Sequence, residues 1–254
     1  GPGEIGVLAS IGLSRVSVFR RPVIAILATG NELREPGQSL EPGQIYDSNS
    51  FSLASAIKRY GGIPHMLGIA HDDIESIQEK LDQLLDDDML LTSAGVSKGD
   101  YDIVKDVLAK QGKIEFWSIR MKPAKPLAFG TIRLANKRRI PHIGLPGNPV
   151  SALVAFEQLV RPAILKMLGQ TNLNLPTITA TLQDTITNDD GRRVYARVIV
   201  TEKNGVYLAK LTGHQGSNIL TSMVHANGLA ICPEDTQRVL AGSQVTVELL
   251  SWPK

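Results

Sequence analysis

A run of three apolar residues that passes directly into a glycine-rich stretch constrains the fold of this chain most strongly. Residues 89–91 (Met-Leu-Leu) have the length and composition of a buried strand, and residues 101–111 have helical spacing. In a strand–loop–helix unit, the unpaired N–H groups of the helix point into the loop and attract anions. Asp100 and Asp102 add carboxylates there, which suits a divalent cation beside a phosphate.

The intervening residues have the properties of a loop that lies close to a ligand. Gly95 and Gly99 allow close approach of the backbone, and Ser93 and Ser97 supply hydroxyl groups. Gly, Ser and Asp are also ordinary turn and cap residues, however, so the pattern alone leaves a purely structural interpretation open.

Composition restricts the class of protein more than it identifies it. The chain has 254 residues, 43% hydrophobic and 20% charged, which allows two domains with proper cores. No run approaches the roughly 18 apolar residues of a membrane-spanning helix, and a net charge of +2 does not favour nucleic acid as a partner. The single cysteine, Cys232, permits no internal disulfide. The start of the chain shows no signal peptide, so we expect a cytoplasmic protein of which this chain is a fragment.

Alternating strand and helix patterns predict an α/β fold for the first part of the chain. Apolar runs of strand length alternate with helical patterns, which predicts a three-layer, doubly wound, mostly parallel sheet. The strand patterns include residues 23–28, 63–69, 89–91 and 140–145, and the helical patterns 49–60, 74–85 and 150–168.

The pattern changes near residue 170. Short alternating runs with turn signals, such as Asn204-Gly205, predict a small all-β domain, either a barrel or a sandwich. We therefore divide the chain into a connector (1–20), an α/β domain (21–170) and a β domain (171–254).

Several short segments could bind anions. Residues 122–126 (Lys-Pro-Ala-Lys-Pro) hold two ammonium groups in a segment stiffened by prolines, and residues 146–151 supply Asn148 and Ser151 after a tight turn. Solvated lysines and an ordinary capped turn are the competing interpretations. The five histidines show no metal-ligand spacing, and no Ser–His–Asp set, nucleophilic cysteine or dinucleotide fingerprint is present. Chemistry on a phosphate-bearing substrate fits these features best.

Five motifs in order resemble those of the molybdopterin molybdenumtransferase family, which includes MoeA and the gephyrin E domain. They are residues 29–33, 45–49, 95–97 followed by Asp102, 122–126 and 144–151. The resemblance implies a molybdopterin-binding, MogA-like α/β domain followed by a β-barrel domain, with the family's N-terminal domains absent. It also implies insertion of molybdate into adenylylated molybdopterin with Mg2+ and release of AMP, in a cytoplasmic homodimer.

Carried over motif by motif, the resemblance implies roles for individual residues. Asp72 and Asp102 would be catalytic and hold the metal, with Asp47 near them. The residues that would bind the pterin phosphate or molybdate are Gly95, Ser97, Gly99, Lys122, Lys125, Pro126, Asn148, Ser151, Arg192, Arg193 and Ser217.

Three residues depart from the family pattern. Asn31 stands where the family usually has Asp, and Ala94 and Ala124 stand where it usually has Gly. Two other functions remain open at this point: a molybdopterin adenylyltransferase, which shares the α/β domain, and a non-catalytic scaffold of the gephyrin kind. The β domain and the two lysines favour the transferase that inserts molybdenum.

Overall fold

The computed structural model describes residues 1–94, 107 and 112–251. The described helices are α1 (Pro2–Ser10), α2 (Asn49–Arg59), α3 (Ile74–Leu81), α4 (Pro149–Ala155), α5 (Arg161–Met167) and α6 (Thr221–His225), with a π-helical turn (Phe156–Val160) between α4 and α5. The strands of the first part are β1 (Val23–Thr29), β2 (Leu33–Arg34), β3 (Ile45–Tyr46), β4 (Ile63–Ala70), β5 (Met89–Ser93), β6 (Gly112–Ser118), β7 (Met121–Lys122), β8 (Pro126–Arg133) and β9 (Arg139–Leu145). Those of the second part are β10 (Thr177–Leu182), β11 (Ile186–Thr187), β12 (Arg193–Lys203), β13 (Val206–Leu211), β14 (Gly228–Cys232), β15 (Arg238–Val239) and β16 (Gln244–Leu249).

A six-stranded sheet forms the centre of the first domain, in the order β4-β1-β5-β9-β8-β6. The first four strands are parallel, whereas β8 runs antiparallel to both of its neighbours. The prediction of a doubly wound, mostly parallel sheet is therefore confirmed, with an antiparallel pair of strands at one side.

Helices cover both faces of this sheet because β1 is apolar on both of its sides. Ile24 and Ile26 pack with residues of α2 and α4, whereas Ala25 and Leu27 pack with α3 on the opposite face. The predicted long helix after residue 149 is interrupted by the π-helical turn, and a new helix begins at Arg161 with Pro162 in its first turn.

The second domain is a closed barrel, which decides between the barrel and the sandwich. Strands β10, β16, β14, β12 and β13 pair in that order, and β13 pairs again with β10 to close the ring. The predicted hairpin turn is present between β12 and β13, where Asn204 and Gly205 both have positive φ. The domain boundary at residue 170 stays a prediction, since the chain leaves α5 at Met167 and enters β10 at Thr177.

One short strand of the α/β domain belongs to the sheet of the barrel. In β7, Met121 and Lys122 pair in parallel with Arg193 and Val194 of β12. Tyr195 and Leu229 of the barrel also pack into the core of the α/β domain. The lysine-bearing segment is thus held by both domains. Among the described residues, no helix has the length and hydropathy required to cross a bilayer.

Candidate functional site

The carboxyl edge of the parallel strands gathers most of the polar residues singled out from the sequence. Strand β4 lies on one side of β1 and β5 lies on the other, so the strand order reverses direction at β1. Open α/β sheets bind ligands at such a switch point. Asn31 follows β1, Asp72 follows β4, Ala94 follows β5 and Asn148 follows β9. Four strand ends therefore converge on one crevice.

A cavity of about 710 Å3 lies between this edge and the barrel, and we call it the inter-domain cavity. It brings together residues that are far apart in the sequence and that come from both domains. The predicted residues that line it are Lys122, Lys125, Pro126, Asn148, Ser151, Arg192 and Ser217.

A second cavity of about 610 Å3, the sheet-edge cavity, lies over the switch point. It is lined by Asp47, Asn49, Ser93 and Ala94, among others. It shares Pro126, Asn148 and Ser151 with the inter-domain cavity, so the two form one continuous cleft.

Arg197 is the residue in this cleft that the sequence analysis missed. It lies on β12, lines the inter-domain cavity and is only 2% exposed. Its Nε donates to Ser222 Oγ at 3.1 Å and its Nη2 to the carbonyl of Gly216 at 3.1 Å. No carboxylate in the described part of the chain forms an ion pair with it, and burial lowers the pKa of its guanidinium to about 10. A buried cation without a counter-charge favours the binding of an anion. A charged residue within an apolar run is the sequence signal that could have found it.

The other two arginines of the segment are already engaged. Arg192 donates from Nε to Asp190 Oδ2 at 3.0 Å and from Nη1 to the carbonyl of Met121 at 3.1 Å. Lys122 Nζ lies 3.9 Å from the same carboxylate oxygen. Arg193 pairs with Glu234 and is not among the described residues that line either cavity.

Two of the departures from the family pattern lie where the backbone favours glycine. Ala94 has φ of 75° and Ala124 has φ of 78°, both in the left-handed region. A side chain in that region costs on the order of 1–2 kcal/mol. Both alanines border the cleft, at the end of β5 and between the two lysines. The third departure, Asn31, accepts a hydrogen bond at Oδ1 from the Asp72 N–H at 3.2 Å.

The predicted metal ligands are only partly within the described residues. Asp72 accepts the Asn31 N–H at Oδ2 (3.2 Å), while its Oδ1 is buried without a partner among the described residues. Asp47 accepts the Ser50 N–H at 3.0 Å at the start of α2. In the described ranges no group of three or more His, Cys, Asp or Glu side chains could hold a metal. Gly95, Ser97, Gly99 and Asp102 lie outside those ranges.

Two family models match the chain along nearly its whole length. A model described as a probable molybdopterin binding domain matches residues 25–166, and a model of the MoeA C-terminal region (domain IV) matches residues 179–250. The chain belongs to the MoeA family. The two matched regions of this MoeA-family chain contain the lysine segment and Arg197, respectively.

Named relatives of this MoeA-family chain agree with the family models. Molybdopterin molybdenumtransferase 2 of Mycobacterium tuberculosis is 36% identical over 253 residues, which cover 97% of this chain and 61% of the relative. Molybdopterin molybdenumtransferase of Haemophilus influenzae is 34% identical with the same coverage. The structure of a molybdopterin biosynthesis MoeA protein from Pyrococcus horikosii matches with a TM-score of 0.81 and 32% identity, covering 99% of this chain and 60% of that one. The chain thus spans about three fifths of these relatives.

Replacing the strained alanines by glycine should stabilise the protein. We expect Ala94→Gly and Ala124→Gly each to raise the free energy of unfolding by about 1 kcal/mol, because glycine adopts a positive φ without a steric penalty. Thermal unfolding measures the effect. Ala128→Gly, at a buried position of β8 with no positive φ, is the matched control and should destabilise. Destabilisation by all three substitutions would contradict the assignment of strain.

Removing the Asp190 charge should strengthen the binding of a dianion. Hydrogen bonds from Arg192 lower the pKa of the Asp190 carboxyl, so it is ionised at neutral pH and offsets the charges of Arg192 and Lys122. We expect Asp190→Asn to tighten the binding of a divalent oxyanion in this cavity about threefold at low salt, an effect that high salt should reduce. Titration calorimetry can measure this, with the exposed neighbour Asp189→Asn as the control. Weaker binding by Asp190→Asn would mean that Asp190 positions Arg192 for the anion.

Proposed function

We propose that the protein containing this chain inserts molybdate into adenylylated molybdopterin and releases AMP, the last step of molybdenum cofactor synthesis. The observation that carries the proposal is the buried Arg197, which has no carboxylate partner in the described part of the chain and lines the same cavity as Lys122 and Lys125. The names of the relatives and the match to both family models support it.

The inter-domain cavity has the chemistry that a tetrahedral dianion requires. The Arg197 guanidinium is fixed by two hydrogen bonds. The backbone carbonyl of Lys125 accepts a hydrogen bond from the Ile119 N–H at 2.9 Å, which holds the turn that carries this lysine. The Arg197 charge is held in place before a ligand binds, so little energy is lost in reorienting it. Ser217 and Ser151 add hydroxyl donors to the same cavity. Molybdate bound there would lie beside the sheet-edge cavity, which we assign to the adenylylated pterin.

The residues of the sheet edge are compatible with Mg2+. Asp72 has a buried oxygen without a partner among the described residues, and carboxylate oxygens are the ligands that Mg2+ prefers. Asp72 and Asp102 would hold the ion, with Asp47, which lines the sheet-edge cavity, near them. When bound, Mg2+ would offset the negative charge of the pyrophosphate-like bond. The proposal includes a homodimeric, cytoplasmic parent protein.

The barrel separates this proposal from the first alternative. A molybdopterin adenylyltransferase would need the α/β domain alone, whereas Arg197 and Ser217 come from the barrel and face the lysines of the other domain. A non-catalytic scaffold would not need a buried cation, which costs several kcal/mol to desolvate. These two alternatives are outcomes of the following test.

AMP release from adenylylated molybdopterin with Mg2+ and molybdate tests the proposal in the longer parent protein. We expect Arg197→Met to lower molybdate-dependent release about 10- to 150-fold, because removal of a charged hydrogen-bond donor costs about 1.5–3 kcal/mol and the transfer depends on molybdate being held. Lys122→Ala and Asp102→Asn should also lower it. Arg139→Met, on an exposed residue at the opposite edge of the sheet, is the matched control.

Three results would contradict the proposal, and each has a different meaning. Release that does not require molybdate would indicate another reaction, and no release by the unmodified parent protein would favour the scaffold. Unchanged turnover in Lys122→Ala, Asp102→Asn and Arg197→Met together would make the site assignment wrong. Arg197→Lys, which keeps the charge, should recover part of the activity and so separates loss of charge from loss of folding.

A further inference from the structure

One buried side-chain amide joins three elements at the sheet-edge cavity. Asn49, at the first position of α2 and 7% exposed, donates from Nδ2 to Ser93 Oγ at 2.7 Å and to the carbonyl of Gly147 at 2.7 Å. The Gly147 carbonyl can only accept a hydrogen bond, so the nitrogen of the amide must face it. The orientation of Asn49 is therefore fixed by its partners, and its Oδ1 has none among the described residues.

This orientation determines what the Ser93 hydroxyl can do. Because Ser93 Oγ accepts a hydrogen bond from Asn49, its own proton is available for donation elsewhere. Within the described residues no acceptor is paired with that proton. Ser93 is 2% exposed, and a buried hydroxyl without an acceptor costs about 1–3 kcal/mol. Since Ser93 lines the sheet-edge cavity, an acceptor atom bound in the cavity would remove this cost.

The surroundings favour an anionic acceptor over a neutral one. The sheet-edge cavity continues through Asn148 and Ser151 into the inter-domain cavity, where Arg197 and the lysines supply positive charge. A hydrogen bond to a charged oxygen is about twice as strong as one to a neutral oxygen. A ligand that places a phosphate oxygen near Ser93 would use both the hydroxyl and the positive field.

We propose that Ser93 donates a hydrogen bond to a phosphoryl oxygen of the bound substrate and that Asn49 is the positioning residue that directs this proton into the cavity. The inference rests on the proposed function for the identity of the substrate, but its chemistry requires only a phosphate ester. In the competing interpretation, Asn49, Ser93 and Gly147 form a structural link that contributes to stability alone.

Binding of AMP, compared with adenosine, separates the two interpretations in the intact parent protein. We expect Ser93→Ala to weaken AMP binding about tenfold, the value of one charge-assisted hydrogen bond, and to leave adenosine binding unchanged. Ser55→Ala, on an exposed residue of α2, is the matched serine control.

A double-mutant cycle tests the role of Asn49. In Asn49→Asp the carboxylate attracts the Ser93 proton to itself, so we expect a loss of AMP binding similar to that of Ser93→Ala. The double variant should bind AMP no more weakly than the single variant with the lower AMP affinity, because both substitutions remove the same hydrogen bond. Asn49→Ala, which removes the amide without adding a charge, should also weaken AMP more than adenosine.

The outcomes separate this inference from the proposed function. Equal losses for AMP and adenosine, additive losses in the double variant, or no AMP binding by the unmodified protein would each overturn the role of Ser93. A selective, non-additive loss of AMP binding in a protein without molybdate-dependent AMP release would sustain the role of Ser93 and reject the proposed reaction.

Discussion

The pairing of two residues of β7 with β12 is the contact on which the cleft depends. Met121 and Lys122 join the sheet of the barrel, so the lysine segment is fixed to the barrel as well as to the α/β domain. The same contact lies four residues before Arg197 along β12. A short backbone ladder therefore contributes to the spacing between the cations of the two domains, and residues of both domains line the inter-domain cavity.

At the exposed side of this cleft a carboxylate offsets the positive charges, whereas the buried positive charge has no carboxylate partner among the described residues. Asp190 offsets Arg192 and Lys122 at the exposed side, where solvent makes an ion pair inexpensive to form and to break. Arg197 has no such partner among the described residues, at a depth where breaking an ion pair typically costs about 3–5 kcal/mol. The cost of holding a buried cation is recovered when an anion binds, so the unbalanced residue contributes most to the discrimination between charged and neutral ligands.

Hydrophobic patterns predicted the fold well because they operate over short distances. The continuous apolar run of β1 and the amphipathic pattern of α3 each correspond to the layer in which they lie. The cleft was harder to predict because its residues meet only through tertiary contacts. Arg192 and Arg193 stand out in the sequence as a pair, but the described residues that line the inter-domain cavity include Arg192 and Arg197 and not Arg193. Likewise, the sequence places Asn49 at the start of a predicted helix, whereas its amide contacts β5 and the turn after β9.

Several deviations from ideal backbone and hydrogen bonding lie at the cleft. Ala94 and Ala124 have positive φ, and Asp72 and Asn49 each have a buried oxygen without a described partner. These residues lie at strand ends, at a turn and at the start of α2. Residues selected only for stability would remove such costs, which are individually about 1–3 kcal/mol. Because the core on both faces of the sheet is well packed, the sheet can hold these residues in place. The rigidity of the sheet is thus what allows its edge to keep polar groups ready for a ligand.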